Sequence, residues 1–127
     1  MKKVLLIIGG TVLVIMLGLF LFLTNGLSEG KNAVLNGIDI SGKPDGMYVG
    51  TYGFKRWSNT VNVHIKDHQI IAIVIVQDIP GANITDCSGE MLRRVLDVQN
   101  TQVDTVSGAT VTSKAYLKAI EDAFKNR

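Results

Sequence analysis

The sequence predicts a small α+β domain, an antiparallel sheet packed with helices, preceded by one N-terminal transmembrane helix. Three observations carry that expectation. An uncharged apolar run extends from Val4 to Leu23; β-forming residues dominate two stretches between residues 60 and 77; two later stretches place apolar residues at helical spacing. Setting the run aside leaves roughly 100 of the 127 residues, enough for one modest domain.

The run Val4–Leu23 is interrupted only by Gly9, Gly10, Thr11 and Gly18. At about 1.5 Å per residue it makes a helix about 30 Å long, the thickness of a bilayer's hydrocarbon core. Lys2 and Lys3 precede it, and the positive-inside bias then keeps the N-terminus cytoplasmic and sends the rest across the membrane. The competing reading is a cleaved signal peptide, whose apolar core usually runs about 7–15 residues. This run is longer, and Thr24-Asn25-Gly26 makes a poor cleavage site. A lipid-anchored cysteine is excluded there, because the only cysteine is Cys87. Both readings place the domain outside the cytoplasm.

Residues 1–24 thus read as a cytoplasmic lysine pair and anchor, 25–45 as a tether, and 46–127 as the folded domain. The tether is rich in Asn, Gly and Ser and has no periodicity. Met47–Gly53 suits a short strand, and Gly53–Asn59 reads as a loop holding the only tryptophan, Trp57. Thr60–Lys66 alternates: Val61, Val63 and Ile65 face one way, Asn62, His64 and Lys66 the other. Asp67-His68 reads as a hairpin turn into Gln69–Gln77. That stretch is apolar on both faces, which predicts a central strand covered on both sides. Asp78-Ile79-Pro80-Gly81 ends it, since Pro80 cannot donate a ladder hydrogen bond. Asp86 reads as the cap of a helix over Cys87–Val98, with Met91, Leu92, Val95 and Leu96 facing inward. A last helix is expected over Val111–Lys125, burying Ala115, Tyr116, Ala119, Ile120, Ala123 and Phe124.

Composition removes several function classes. Of thirteen basic residues two precede the apolar run, so the remainder carries eleven basic against eleven acidic residues. A nucleic-acid binder would need clustered excess base, which is missing. One cysteine excludes an intramolecular disulfide and a cysteine-rich zinc site. His64 and His68 are separated by the expected turn and lack a carboxylate partner, so no metal site is assigned. Ser107 has no Gly-x-Ser-x-Gly context, and no phosphate-binding Gly-x-x-x-x-Gly-Lys loop occurs. Cys87 reads as a buried helix-start thiol, and Lys55-Arg56 and Arg93-Arg94 as solvated faces that could dock an acidic partner.

The informative stretch joins the two helices: Asp104-Thr105-Val106-Ser107-Gly108-Ala109-Thr110-Val111-Thr112-Ser113. It packs five hydroxyls into ten residues, beside the smallest side chains available. Two readings compete. The hydroxyls could simply cap the last helix, since Ser and Thr satisfy its orphan N–H donors. Alternatively, the unpaired N–H groups and positive dipole end seat a phosphate, with Gly108 and Ala109 letting a bulky group approach.

Asp-x-x-Ser-Gly-Ala-Thr followed by x-Thr-Ser resembles the flavinylation motif of the FMN-binding domain family. That family includes the covalently flavinylated C subunit of sodium-translocating NADH:quinone reductase and G subunit of Rnf complexes. A looser likeness runs from Met47 to Phe124: Tyr-x-Gly-Thr, an alternating strand, a hairpin, a helix, then the motif. The resemblance implies FMN joined to Thr110 by a phosphoester bond, with a flavin transferase attaching it from FAD with magnesium and releasing AMP. Asp104, Ser107, Gly108 and Ala109 would complete the segment the transferase recognises, with Thr112 and Ser113 following. Tyr48, Tyr52 and Trp57 are candidates to stack on the flavin ring. Longer family members carry an acidic-Thr-Pro-Gly element after the third strand; here Ile79 replaces the threonine, so no flavin contact is assigned to that loop.

The implied function is a membrane-anchored extracytoplasmic electron carrier rather than a self-sufficient enzyme. Its implied partners are the transferase and either redox proteins or a membrane quinone-linked reductase. The alternatives are a domain binding FMN reversibly and a non-redox binding or scaffold domain.

Overall fold

Alternating Val61, Val63 and Ile65 make Asn59–Lys66 the middle strand (β2) of a three-stranded antiparallel sheet. The computed structural model describes residues 1–81 and 87–125. Gly46–Tyr52 (β1) and Gln69–Gln77 (β3) flank β2. The α+β expectation holds, with helices packed against a small antiparallel sheet. The β2–β3 hairpin turns at Asp67-His68, both in the left-handed region (φ 51° and 62°) that a two-residue turn requires. A short 3-10 turn, Lys55–Trp57, occupies the expected loop and carries Trp57 inward to 1% exposure.

The expectation for β3 needs correcting. It is an edge strand, with Ile70, Ile73 and Ile75 opposite Ile65, Val63 and Val61, while Ile71, Val74 and Val76 are exposed. Register shifts at His64/Ile65 and Thr60/Val61 leave Ile71 and Val76 as the extra residues of two bulges. A continuous apolar run therefore need not mean cover on both faces. Bulged edges also resist pairing with another strand, which is one way an exposed edge is kept from aggregating.

Four helices accompany the sheet among the described residues: α1 (Lys2–Thr24), α2 (Leu27–Lys31), α3 (Cys87–Val98) and α4 (Thr110–Ala123). The cap expected at Asp86 lies outside the described residues. No residue of α1 is buried, and with its continuation to Lys31 it forms a helix long and apolar enough to cross a membrane. Its exposed leucines, isoleucines and phenylalanines far exceed the apolar patch a soluble surface usually tolerates.

The hub is α4. Tyr116, Leu117, Ala119 and Ile120 are fully buried, because the sheet covers one side and the 25–45 segment covers another. Ala119 and Ala123 let β1 approach so closely that Gly50 lies against the helix backbone. Tyr116 donates to Asp78 Oδ1 at 2.5 Å, tying the end of β3 to the helix. Burial, then the Asp78 contact, holds the Tyr116 hydroxyl well above the usual tyrosine range. The folded protein thus keeps a proton that the unfolded chain releases above about pH 10, so this contribution is present below that pH and is lost above it. Tyr116→Phe should flatten the fall in urea midpoint between about pH 8 and about pH 11. An unchanged slope would remove this assignment.

Residues 25–45, read as a tether, form a strap along α4. Leu27, Leu35, Ile38 and Ile40 pack on the core. Lys114 Nζ donates to the carbonyls of Lys31 and Ala33, and Lys118 Nζ to that of Val34. The buried Glu121 carboxylate accepts the Gly37 N–H (3.0 Å) and the Thr101 hydroxyl (2.8 Å) and pairs with Lys118 (3.1 Å). Glu121→Ala removes that anchor and leaves two donors unsatisfied. The expected cost is about 1–3 kcal/mol, with faster amide exchange confined to the strap. Exchange unaltered there would show that the carboxylate does not hold it.

Candidate functional site

The hydroxyl-rich segment enters α4 through a tight turn. Ala109 N–H donates to the Val106 carbonyl at 3.0 Å, and Gly108 takes φ +79°, a conformation that costs glycine nothing. Ser113, fully buried, locks this turn from beneath. Its hydroxyl donates to the Ala109 carbonyl (2.6 Å), accepts the Val106 N–H (3.1 Å) and lies 3.3 Å from Cys87 Sγ. Ser113 therefore shapes the site from inside the core and does not face a ligand.

The helix itself begins at Thr110, and its N-cap is Ala109, which supplies no side-chain cap. The capping reading of the hydroxyls is not realised: no Ser or Thr occupies the cap position. The N–H groups of Thr110, Val111 and Thr112 receive no side-chain cap from Ala109, and the dipole there favours an anion.

Gly108, Ala109, Thr110, Val111 and Thr112 form one wall of a concavity of about 320 Å³. Leu27, Lys31, Arg56 and Trp57 form the other. A Cβ at Gly108 would meet nothing within 4 Å, so the approach to the helix mouth is open. The size falls in the usual range for small-molecule sites. Asp104 and Ser107 line instead a second, more open concavity of about 640 Å³ with Arg94 and Asp97, where the Asp104 carbonyl accepts a hydrogen bond from Arg94 Nη1 at 2.7 Å. Of the seven residues singled out by sequence, four line the concavity, two flank it and one supports it.

The aromatic candidates separate as well. Tyr48 packs on Phe124 with ring centroids 5.4 Å apart. That is the far end of α4, about 20 Å from Thr110 along the helix. Tyr52, Phe54 and Trp57 form a row with successive centroid separations of 6.1 Å, ending at the concavity. Burial raises the Tyr52 hydroxyl above its ordinary range.

Lys31, Leu27 and Arg56 escaped the sequence reading. The first two fell in the apparent tether, and Arg56 looked like half of a solvated pair. The one available signal was its position beside the only tryptophan. Its guanidinium lies 4.4 Å from the Trp57 ring centroid, a cation–π stack. Among the described residues no cluster of His, Cys, Asp or Glu could hold a metal ion.

The residues present suit a phosphate-bearing flavin: an uncapped helix start, two cations, an aromatic wall and the Thr110 side chain lie on one surface. Comparison with curated proteins finds no match. The family comparison is positive: residues 24–125 match the FMN-binding domain, most of the chain and all of the strap, sheet and last two helices. With that span matched and the motif at the mouth of α4, the chain belongs to the FMN-binding domain family.

Proposed function

We propose that this chain is a membrane-anchored flavoprotein that carries FMN on Thr110 through a phosphoester and relays electrons outside the cytoplasm. The observation that carries this reading is the placement of Ser107-Gly108-Ala109-Thr110 at an uncapped helix start beside a cationic concavity, in a chain of this family. Loading balances as a phosphoryl-group transfer. The Thr110 oxygen gains a bond to the FMN phosphorus of FAD, the pyrophosphate bond breaks, AMP leaves and the hydroxyl proton is released. A transferase with magnesium supplies the catalysis. Once in place, flavin brings one- and two-electron redox chemistry.

The chain's own residues position the group and keep it. Helix N–H groups and the nearby cations neutralise the phosphate, Trp57 walls the concavity, and Ser113 fixes the turn. A covalent link prevents loss of cofactor into a dilute exterior. The site also lies close to the anchor: Arg56 Nη2 reaches the Leu23 carbonyl at 3.5 Å, and Leu27 lines the concavity three residues after α1 ends. That proximity favours exchange with membrane-bound redox partners. Lys2 and Lys3 favour a cytoplasmic N-terminus.

Co-expression with a flavin transferase followed by a denaturing gel tests the reading. Flavin fluorescence should stay with the protein band. Fluorescence lost on denaturation would indicate reversible binding, and none at all would leave a domain without this function.

A further inference from the structure

We propose that Arg56 is the residue that grips the cofactor's phosphate, and that it makes the site select phosphorylated flavins over riboflavin. This rests on FMN being the ligand of the concavity. Arg56 is half-buried, yet its Nε is wholly buried and has no hydrogen-bond partner among the described residues. A buried guanidinium N–H left unsatisfied is costly, more so because arginine cannot shed its charge. The ion pairs among the described residues involve Arg93, Arg94, Lys118 and Lys125, and none of the described carboxylates pairs with Arg56. Among the described residues its hydrogen bond is to the Leu23 carbonyl, and at 3.5 Å it is long.

The group is nevertheless held in place. Trp57, at 1% exposure and stacked on Phe54, gives the guanidinium a fixed plane to lie on. The same side chain lines the concavity that Thr110 opens into. An immobilised guanidinium with open donors, lining the same concavity as an uncapped helix start, suits the fork geometry of a phosphate. Lys31, exposed at the rim, adds charge without that geometry. Lys55, by contrast, bonds Asn25 Oδ1 at 2.9 Å outside the concavity and serves as a control.

The full-length chain is compared as wild type, Arg56→Gln, Arg56→Lys and Lys55→Gln, each co-expressed or incubated with flavin transferase and FAD. The fraction loaded over time is read by intact mass. Arg56→Gln should load about tenfold to a hundredfold more slowly, Arg56→Lys should recover part of that, and Lys55→Gln should match wild type. In parallel, unloaded Thr110→Ala protein is titrated with FMN and with riboflavin while Trp57 fluorescence is followed. FMN should bind at least about tenfold more tightly, and adding Arg56→Gln should erase the difference. Wild type that loads normally alongside an equally fast Arg56→Gln overturns this inference and leaves the proposed function standing. Wild type that never loads defeats the function itself. Should Arg56→Gln fail to fold, equal affinity for FMN and riboflavin in the Thr110→Ala protein still overturns the inference.

Discussion

Thr110→Ala should yield protein with no covalent flavin, while its folding stability stays within about 0.5 kcal/mol of wild type. Loss of cofactor without loss of stability follows from where the residue sits. Had Thr110 capped the helix, its removal would cost about 0.5–2 kcal/mol. Ala109 holds that position instead, without a side-chain cap, and Thr110 is the first helical residue, where alanine is well tolerated. The substitution therefore separates chemistry from architecture. Intact mass from a flavinylating host reads the first, and urea unfolding in detergent reads the second. Thr112→Ala is the companion control and should keep its cofactor. Full loading of Thr110→Ala would remove the attachment site from the proposal.

Gly50→Ala should have the largest effect on stability, a loss of about 3 kcal/mol or more. An ideal Cβ there would sit 1.9 Å from the Ala119 carbonyl oxygen and 2.7 Å from the Ala123 nitrogen. Both obstacles are backbone, so no rotamer change relieves them; α4 would have to lift from β1. Lifting it would also shift Thr110 relative to Arg56 and Trp57, so flavin loading should fall with stability. Gly53→Ala, one residue beyond β1, meets nothing within 4 Å and should cost under about 1 kcal/mol. Comparable stability for the two variants in thermal or urea unfolding would mean β1 and α4 are not in such close contact.

Strict alternation in Thr60–Lys66 marks β2, and the spacing of Met91 and Val95 marks α3, because each segment buries one face and periodicity reports one-sided burial. The same logic failed at β3, whose two bulges reset the alternation and whose outer apolar residues remain exposed at a sheet edge. It failed again in residues 25–45. Only scattered apolar contacts there reach the core, and the decisive bonds join their backbone to Lys114, Lys118 and Glu121 on α4. Backbone-directed bonds across some eighty positions leave no local pattern.

The candidate site divides in the same way. Ser107-Gly108-Ala109-Thr110 was legible because a motif is contiguous. Arg56 and Lys31 were not, because only the fold brings the 3-10 turn and α2 against the mouth of α4. Trp57 was legible as an aromatic near the site, yet it acts from within the core as the platform under Arg56. Tyr48 looked equivalent by type, and pairing with Phe124 places it at the opposite end of α4.

The most direct measurement is tandem mass spectrometry of the tryptic peptide 95–114 from protein made with a flavin transferase. This peptide should carry one FMN less a water, with fragment ions assigning the addition to Thr110. An unmodified peptide, or an adduct resolved to Thr101, Thr105, Ser107, Thr112 or Ser113, would contradict it.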